Sequence, residues 1–338
     1  MSTHALVVRL DSEGDVLLAG PAVRAVAAGA DRVTLLCGRR GRAAGELLPG
    51  VDEVLSFHAP WIDPEPDPVD RVAVLRLADE LAMRAIDEAV ILTSFHQSAL
   101  PTALVLRLAR IQRITAISED YSGSLLDVRH RVDEGAHVHE VERGLGLVAS
   151  FGYALPPGDD GRLAIKAVGR NPVPDTHRPY VVVHPGASAP ARAWAAERSA
   201  ELVRALPRNV VVTGGPGERG LTRFVAGDQL DLGGATDLAD LAAVLAEADA
   251  VIVGNTGPAH LAAAVGTPVI SLFAPVVPAE RWRPWHVPHV LLGDQHAACA
   301  GSRARECPIP GHPCLHCVGI QEVMEAVERL APALEAAA

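Results

Sequence analysis

Short apolar runs alternate with helix-like patterns along the first half of the chain. The runs "ALVVRL", "RVTLLCG" and "EAVILTS" have the length and β-branched content of buried strands. Between the first two, apolar residues recur at spacings of three and four from Val16 to Val26. This spacing predicts a helix from about Val16 to Ala28 with one apolar face. Strands that alternate with helices predict crossover units and a mostly parallel sheet, so the fold class is α/β.

The same alternation restarts at Tyr180, after the linker-like stretch "KAVGRNPVPDTHRP". The runs "YVVVHPG", "NVVVTGG", "DAVIVGNTG" and "TPVISLFAP" are β-branched and end in Gly or Pro, which predicts a second parallel α/β domain. A last helical pattern runs from about Ile320 to Leu334. We therefore expect a first domain over 1–165, a linker over 166–178, a second domain over 179–318, and a helical segment over 319–338 that can pack back on the first domain.

Composition and charge narrow the function classes. The chain has 338 residues, 49% of them hydrophobic, which favours about two domains with sizeable cores. No apolar stretch approaches the roughly 20 residues of a membrane helix, and the N-terminus lacks a signal-peptide pattern, so we expect no transmembrane segment and a cytoplasmic protein. The formal net charge of -11 argues against a nucleic-acid partner and suits small or cationic partners better.

The proline-rich stretch "HAPWIDPEPDPVD", from His58 to Asp70, fits neither a helix nor a strand. It predicts a long surface loop. Long loops over the strand ends of such a sheet often bind substrate, and an irregular connector is the equally compatible alternative.

Three turns of the second half share one pattern. "HPGAS", "TGGPGE" and "GNTGPAH" each follow a strand with small residues and then begin a helix, where unpaired N–H groups favour phosphate. Nearby, Arg192 could clasp a diphosphate or be a solvated surface arginine. Glu218 could accept ribose hydroxyls or cap a helix. His260, in the first turn of an apolar helix, could contact a ligand or be structural.

These motifs resemble the heptosyltransferase family, glycosyltransferase family 9. The resemblance rests on "RLDSEGDVLLAGPAVRAV", on "HPGAS" with Arg192 and Trp194, on "DLGGATDLADLAAVLAEADAVIVGNTGPAHLAAAVGTPVISLF", and on the terminal "CPIPGHPC". It spans nearly the whole chain, and its most specific part is the third block. It implies a GT-B fold, with two Rossmann-like domains facing a central cleft, the acceptor on the first domain and the nucleotide sugar on the second. Members are inverting and need no metal, and this sequence has no Asp-x-Asp pair of the metal-dependent kind.

The resemblance implies that Asp15 is the catalytic carboxylate, which takes a proton from the acceptor hydroxyl. Without the family, Asp15 would be a first-turn residue that stabilises the helix dipole.

For the donor site, the resemblance implies contacts to the diphosphate, the ribose, the nucleoside and the donor sugar. The residues are Gly186, Ser188, Arg192, Gly214, Gly215, Glu218, Thr236, Asn255, Thr256, Gly257, Pro258 and His260. Members usually carry Lys at the position of Arg192, and an Asp at that of Asn255, so binding of a donor is better supported than the identity of its sugar.

The C-terminal cysteines, with His296, His312 and His316 interleaved, and a second group of histidines are further candidates. The four cysteines, Cys299, Cys307, Cys314 and Cys317, include only one pair at metal-finger spacing. We expect reduced thiols that pack a loop, with a structural metal as the alternative and disulfides disfavoured in a reducing compartment. The trio His130, His137 and His139 has no ligand spacing, and a solvated or loop-packing role is favoured, with acceptor contact as the alternative.

The resemblance therefore implies an inverting, metal-independent glycosyltransferase that requires no cofactor. Its expected donor is ADP-heptose, and its acceptor is either a lipopolysaccharide-type glycan or a soluble natural product such as an aminoglycoside. The alternatives are a nucleotide-sugar 2-epimerase of GT-B architecture and a nucleotide-sugar-binding protein without catalysis.

Overall fold

A computed structural model describes residues 2–133, 135 and 138–332. The chain divides into two compact units, residues 1–166 and 167–338. Each contains one six-stranded sheet in which every strand pair is parallel. The α/β class predicted from the alternating runs is therefore confirmed.

The first unit has the sheet order β3-β2-β1-β4-β5-β6. Its strands are β1 (His4–Arg9), β2 (Arg32–Cys37), β3 (Glu53–Ser56), β4 (Glu88–Ile91), β5 (Arg113–Ile117) and β6 (Val128–His130). Its helices are α1 (Glu13–Leu18), α2 (Gly20–Ala27), α3 (Arg42–Leu47), α4 (Arg71–Ala82), α5 (Leu100–Leu108) and α6 (Glu140–Ser150). Strands β1 and β4 are buried along their whole length, as expected for central strands of a parallel sheet with helices on both faces.

The first helical pattern forms two helices and not one. The sequence predicts a single helix from about Val16 to Ala28. In the structure α1 begins at Glu13, and the helix is interrupted at Ala19 before α2 begins. Pro21 lies in the first turn of α2. A proline lacks the N–H that a continuous helix would use and clashes with the carbonyl four residues before it, here that of Leu17. The earlier start of α1 brings Asp15 into its first turn.

The second unit repeats the strand order of the first, as β12-β11-β10-β7-β8-β9. Its strands are β7 (Tyr180–His184), β8 (Asn209–Val212), β9 (Leu230–Asp231), β10 (Val251–Gly254), β11 (Val269–Leu272) and β12 (His289–Leu292). Its helices are α7 (Ala196–Ala205), α8 (Arg219–Ala226), α9 (Leu238–Ala246), α10 (Gly257–Ala264), α11 (Ala279–Trp282), α12 (Pro313–His316) and α13 (Ile320–Leu330).

The final helix, α13, packs against α7, β11 and β12 of its own unit. Val323, Ala326 and Val327 point into the hydrophobic core that also contains Trp194 and Leu202. Their three- and four-residue spacing explains this packing, because it aligns them on one face of the helix. The sequence pattern extends to Leu334, and residues 333–338 lie outside the described part of the chain.

The stretch from His58 to Asp70 contains no helix or strand, which confirms the predicted surface loop. None of the helices in the described ranges combines the length and the apolar character that crossing a membrane requires.

Candidate active site

A buried arginine organises the carboxyl edge of the first sheet. Arg9 is the last residue of β1, and its side chain is 5% exposed. Its Nε lies 2.9 Å from an oxygen of Asp11, its Nη2 donates to Asp15 at 3.0 Å, and its Nη1 lies 3.7 Å from Glu140. Nη2 also donates to Ser94 Oγ at 2.8 Å. The loop after β1, the helix α1 and the helix α6 therefore each bring one carboxylate to the same guanidinium.

Asp15 is the carboxylate of this group that solvent reaches best. Its side chain is 21% exposed, against 11% for Asp11 and 2% for Glu140. Oδ1 accepts the hydrogen bond from Arg9, and Oδ2 accepts one from Ser12 Oγ at 2.8 Å. Two donors therefore hold the Asp15 carboxylate in one orientation while it remains accessible to a bound molecule.

Burial and charge give the neighbouring groups unusual acidities. Burial disfavours the charged form of Arg9, but Asp11, Asp15 and Glu140 outweigh it and raise the pKa of Arg9 above its ordinary value. Burial raises the pKa of Asp11 to about 6, an effect that Arg9 opposes and Asp15 reinforces. The Asp11 carboxyl is therefore partly protonated near pH 6.

A small recess beside Asp15 is lined by residues at the carboxyl ends of β1, β4 and β5 and by residues of α1 and α6. Among its lining residues are Thr93, Glu140 and Arg143. The Thr93 hydroxyl is buried and has no hydrogen-bond partner in the structure, while its carbonyl accepts a hydrogen bond from Arg143. The recess thus contains a buried polar atom that a bound hydroxyl or water could satisfy.

The three histidines predicted as a loop group lie on different elements. His130 ends β6 and is half-buried, and burial together with Arg143 lowers its pKa. His139 is buried and caps α6, accepting from the Val141 N–H at 3.2 Å. His137 lies outside the described residues.

In the second unit, Glu218 fills the space beside Gly186. Gly186 follows β7, and a Cβ added there would lie 1.9 Å from Glu218 Oε1. Glu218 Oε2 accepts the Gly215 N–H at 2.7 Å, and a Cβ on Gly214 would lie 3.2 Å from the same oxygen. The structure therefore brings the ends of β7 and β8 together around one carboxylate, which lies where a side chain at Gly186 would otherwise stand.

Arg192 and the end of β10 also meet. A Cβ added to Gly254 would lie 2.7 Å from the carbonyl oxygen of Arg192. Arg192 belongs to a short 3-10 turn after β7, next to the exposed Ser188, whose carbonyl accepts from Arg305 at 3.3 Å. The absence of a side chain at 254 lets this turn reach the start of α10.

The residues at the start of α10 have distinct surroundings. Asn255 is buried, and its amide both donates to the Ala274 carbonyl and accepts from the Ala274 N–H, each at 3.2 Å. Thr256 is the N-cap of α10, and its hydroxyl is buried without a hydrogen-bond partner in the structure. Gly257 and Pro258 form the first helical positions, and His260 is buried in the same turn.

Thr236 is half-buried in the segment before α9. Its segment is anchored through Gly234, whose N–H donates to the Gly214 carbonyl at 2.8 Å. Gly234 has φ +64°, and a Cβ there would lie 2.8 Å from Pro216 Cα, so glycine suits both the conformation and the close approach.

His184 is a buried titratable residue that the sequence patterns did not single out. It ends β7, and its Nδ1 lies 2.9 Å from Thr213 Oγ1. Burial lowers its pKa to about 4, against an opposing effect of Glu218. The His184 imidazole is therefore uncharged near neutral pH.

The cysteines are all free thiols. Cys299 and Cys314 are buried in the core of the second unit, Cys307 packs against it, and Cys317 is exposed. Burial and the neighbouring Cys299 raise the pKa of Cys314 to about 12. Within the described ranges, no three His, Cys, Asp or Glu side chains form a group that could hold a metal ion. The burial of Cys299 and Cys314 in this core favours the role of reduced thiols that pack against apolar neighbours.

The two parallel sheets of this order define the GT-B fold class, and the candidate residues lie at their carboxyl edges. Two solved structures have the same fold. One is described as E. coli ADP-heptose lps heptosyltransferase II, with a TM-score of 0.73, 20% identity and 98% of both chains covered. The other is described as E. coli heptosyltransferase WaaC with ADP-2-deoxy-2-fluoro heptose, with a TM-score of 0.69, 18% identity, and 97% of this chain and 99% of that chain covered.

Sequence comparison places the chain within this class. The family model described as "Glycosyltransferase family 9 (heptosyltransferase)" matches residues 74–312. The chain therefore belongs to glycosyltransferase family 9. Lipopolysaccharide heptosyltransferase 3 of Escherichia coli (strain K12) is 33% identical over 120 residues, which are 31% of this chain and 33% of that protein. The match thus spans about a third of the length of this curated relative.

Sequence reasoning missed Arg9, Asp11 and Glu140 as parts of the site. One signal was available, because Arg9 is a charged residue at the end of an otherwise apolar strand, and such a residue needs partners when buried. Glu140 gives no comparable signal, since it begins an ordinary amphipathic helix more than a hundred positions later in the chain.

Proposed function

We propose that this protein is an inverting glycosyltransferase that moves heptose from ADP-heptose to an acceptor hydroxyl, with Asp15 as the general base. The observation that carries the proposal is the Asp15 carboxylate, which is accessible, oriented by Arg9 and Ser12, and located at the carboxyl edge of the first sheet. Ligands of open α/β sheets collect at this edge. Membership of the family and the two GT-B neighbours support the same reaction class.

In this mechanism Asp15 accepts the proton of the acceptor hydroxyl as its oxygen attacks the anomeric carbon of the donor. The new bond forms on the face opposite the leaving group, so the configuration inverts. The bond from the anomeric carbon to the phosphate oxygen breaks, and ADP leaves with its electron pair. No metal ion is required for these steps in the proposal.

The carboxyl edge of the second sheet would bind the donor. The N-terminus of α10 and the buried Thr256 hydroxyl can donate hydrogen bonds to phosphate oxygens. Arg192 supplies positive charge for the growing charge of the leaving diphosphate. In the proposal Glu218, beside Gly186, accepts ribose hydroxyls, and Ser188, Thr236 and His260 make the remaining donor contacts.

The resemblance implies that Asn255 contacts the donor, whereas this proposal gives it a supporting role. Both polar atoms of its amide bind the main chain of Ala274. An aspartate could accept from the Ala274 N–H but could not donate to its carbonyl. We therefore propose that Asn255 supports the turn that binds the donor.

For the acceptor we propose two classes, a lipopolysaccharide-type glycan and a soluble natural product such as an aminoglycoside. The name of the Escherichia coli relative supports the first class. The formal net charge of -11 supports a cationic acceptor of the second class. The proposed location is the cytoplasm.

The test is a calorimetric titration of the protein with ADP, UDP and GDP, followed by turnover of ADP-heptose. We expect selective binding of ADP that Arg192→Ala weakens, with Arg198→Ala on α7 as a matched control that leaves binding unchanged. A preference for UDP would favour the epimerase, and no nucleotide binding would overturn the proposed donor site.

Catalysis is tested with Asp15→Asn and, as control, Glu13→Gln in the same helical turn. We expect Asp15→Asn to lower kcat by about 10² to 10⁴-fold with unchanged ADP affinity, because a general base is lost while the donor unit is untouched. Equal turnover in Asp15→Asn and the parent would contradict the assignment of the base.

A further inference from the structure

The Arg9 guanidinium has more negative partners than it can balance. Asp11, Asp15 and Glu140 lie within 2.9, 3.0 and 3.7 Å of its nitrogens, and all four side chains are mostly or wholly buried. Gln97 donates to Asp11, Ser12 donates to Asp15, and Arg9 donates to Ser94, so hydrogen bonds fix the direction of the two aspartates and of the guanidinium. Asp11 and Asp15 therefore share the Arg9 guanidinium as a common partner.

We propose that Arg9 is a positioning residue for the transfer reaction, which orients Asp15 and keeps it ionised, and that Asp11 opposes this effect by competing for the same guanidinium. The inference rests on the proposed function, in which Asp15 is the base. Arg9 itself does not touch the substrate in this scheme, because its side chain is only 5% exposed.

Arginine is suited to this task for a geometric reason. Its planar fork binds Asp11 through Nε and Asp15 and Ser94 through Nη2, while Nη1 faces Glu140. A lysine ammonium carries the same charge on a single nitrogen and cannot face these groups at their present separations. Replacement of Arg9 by lysine therefore keeps the positive charge and removes the contacts that orient Asp15.

The ionisation of Asp15 depends on every charged group around it. These groups are Arg9 on β1, Asp11 on the following loop, Glu140 and Arg143 on α6, and Arg40, which acts on Asp11. Removing the cation should make Asp15 harder to ionise, and removing the competing carboxylate should make it easier. The two changes therefore have opposite signs.

Three variants test the proposal through kcat, the KM of ADP-heptose and the acid limb of the pH profile. Arg9→Lys should lower kcat about tenfold or more, with the donor KM unchanged, because the base loses its orientation. Arg9→Gln should move the acid limb to higher pH, and Asp11→Asn should move it to lower pH. A purely structural role for Arg9 would not produce opposite shifts.

Arg24→Lys is the matched control. Arg24 and Asp159 form a similarly buried ion pair on α2, with Nε 2.6 Å from the carboxylate, away from the proposed machinery. This variant should lose stability yet keep the wild-type kcat and pH profile. Normal kcat in Arg9→Lys, or an acid limb that Asp11→Asn leaves in place, would overturn the proposal.

A second readout does not depend on turnover. The pH at which Asp15 ionises can be followed by ¹³C NMR of labelled aspartate carboxyls, with the Asp15 signal assigned from Asp15→Asn. Opposite shifts in Arg9→Gln and Asp11→Asn without heptosyl transfer by the wild type would uphold the coupling and refute the proposed function. Transfer without such shifts would refute the coupling alone.

Discussion

The amide of Asn255 and the main chain of Ala274 form a reciprocal pair, in which each residue donates one hydrogen bond and accepts one, both at 3.2 Å. The pair joins the end of β10 to the residues after β11, directly before the helix α10. It places an uncharged side chain at a position where the family resemblance leads one to expect a carboxylate.

We predict that Asn255→Asp lowers the free energy of unfolding by about 1 to 3 kcal/mol. The carboxylate would face the Ala274 carbonyl oxygen with no hydrogen to donate, in a buried position. Urea unfolding measures the effect. Asn209→Asp is the control, because Asn209 donates to the Pro179 carbonyl in an exposed setting and its replacement should cost little. Equal stability of Asn255→Asp and the parent would show that the pair tolerates an acceptor alone.

A second prediction concerns the contact of Gly186 with Glu218. In Gly186→Ala the new methyl group would occupy the position of the Glu218 carboxylate, which must turn away and release the Gly215 N–H. Because a flexible side chain can move, we expect little loss of stability but about tenfold or more weaker ADP binding in calorimetry.

The control for this change is Gly220→Ala on α8, where a Cβ meets nothing within 4 Å. It should leave ADP binding unchanged and stabilise the helix by up to about 1 kcal/mol. If Gly186→Ala binds ADP as tightly as the control does, the Glu218 carboxylate has no part in donor binding.

The third prediction follows from His184. Its pKa falls from 6.5 to about 4 on burial, so between these values the unfolded chain binds a proton that the folded chain does not. The free energy of unfolding should therefore decrease as the pH falls from about 6.5 to 4, by up to roughly 1.4 kcal/mol for each pH unit. His184→Asn should flatten this dependence.

Urea unfolding at several pH values measures the slope. His316→Asn is the control, since His316 is exposed and its replacement should leave the slope as in the parent. An identical slope in His184→Asn would mean that another group carries the acid sensitivity.

Local sequence patterns predict the helices and strands better than they predict the site. β-branched runs that end in Gly or Pro mark β7, β8, β10 and β11, because these strands are buried on both faces and their ends turn sharply. The break at Ala19 is also readable, since Pro21 lies two residues later. It was missed because apolar spacing continues across the break and carries no information about backbone continuity.

Contacts between distant segments explain why the site was only partly predictable. Asp15 and Glu218 stand in recognisable motifs, so their positions at strand ends could be expected. The partners of Arg9 come from three segments, and nothing in the residue order says that α6 delivers Glu140 to β1. The pairing of Asn255 with Ala274 likewise depends on how two neighbouring strands are staggered, which side-chain chemistry alone does not specify.

The strand order of the two sheets has a consequence for how the chain reaches its folded state. In each sheet the first strand to be synthesised, β1 or β7, lies at the centre, and every later strand adds to an edge that already exists. Among the strands that the structure describes, none has to insert between two that are already paired. Each half can therefore assemble outward from its first strand as it leaves the ribosome. The central strands of each sheet can pair before its last strand has been synthesised.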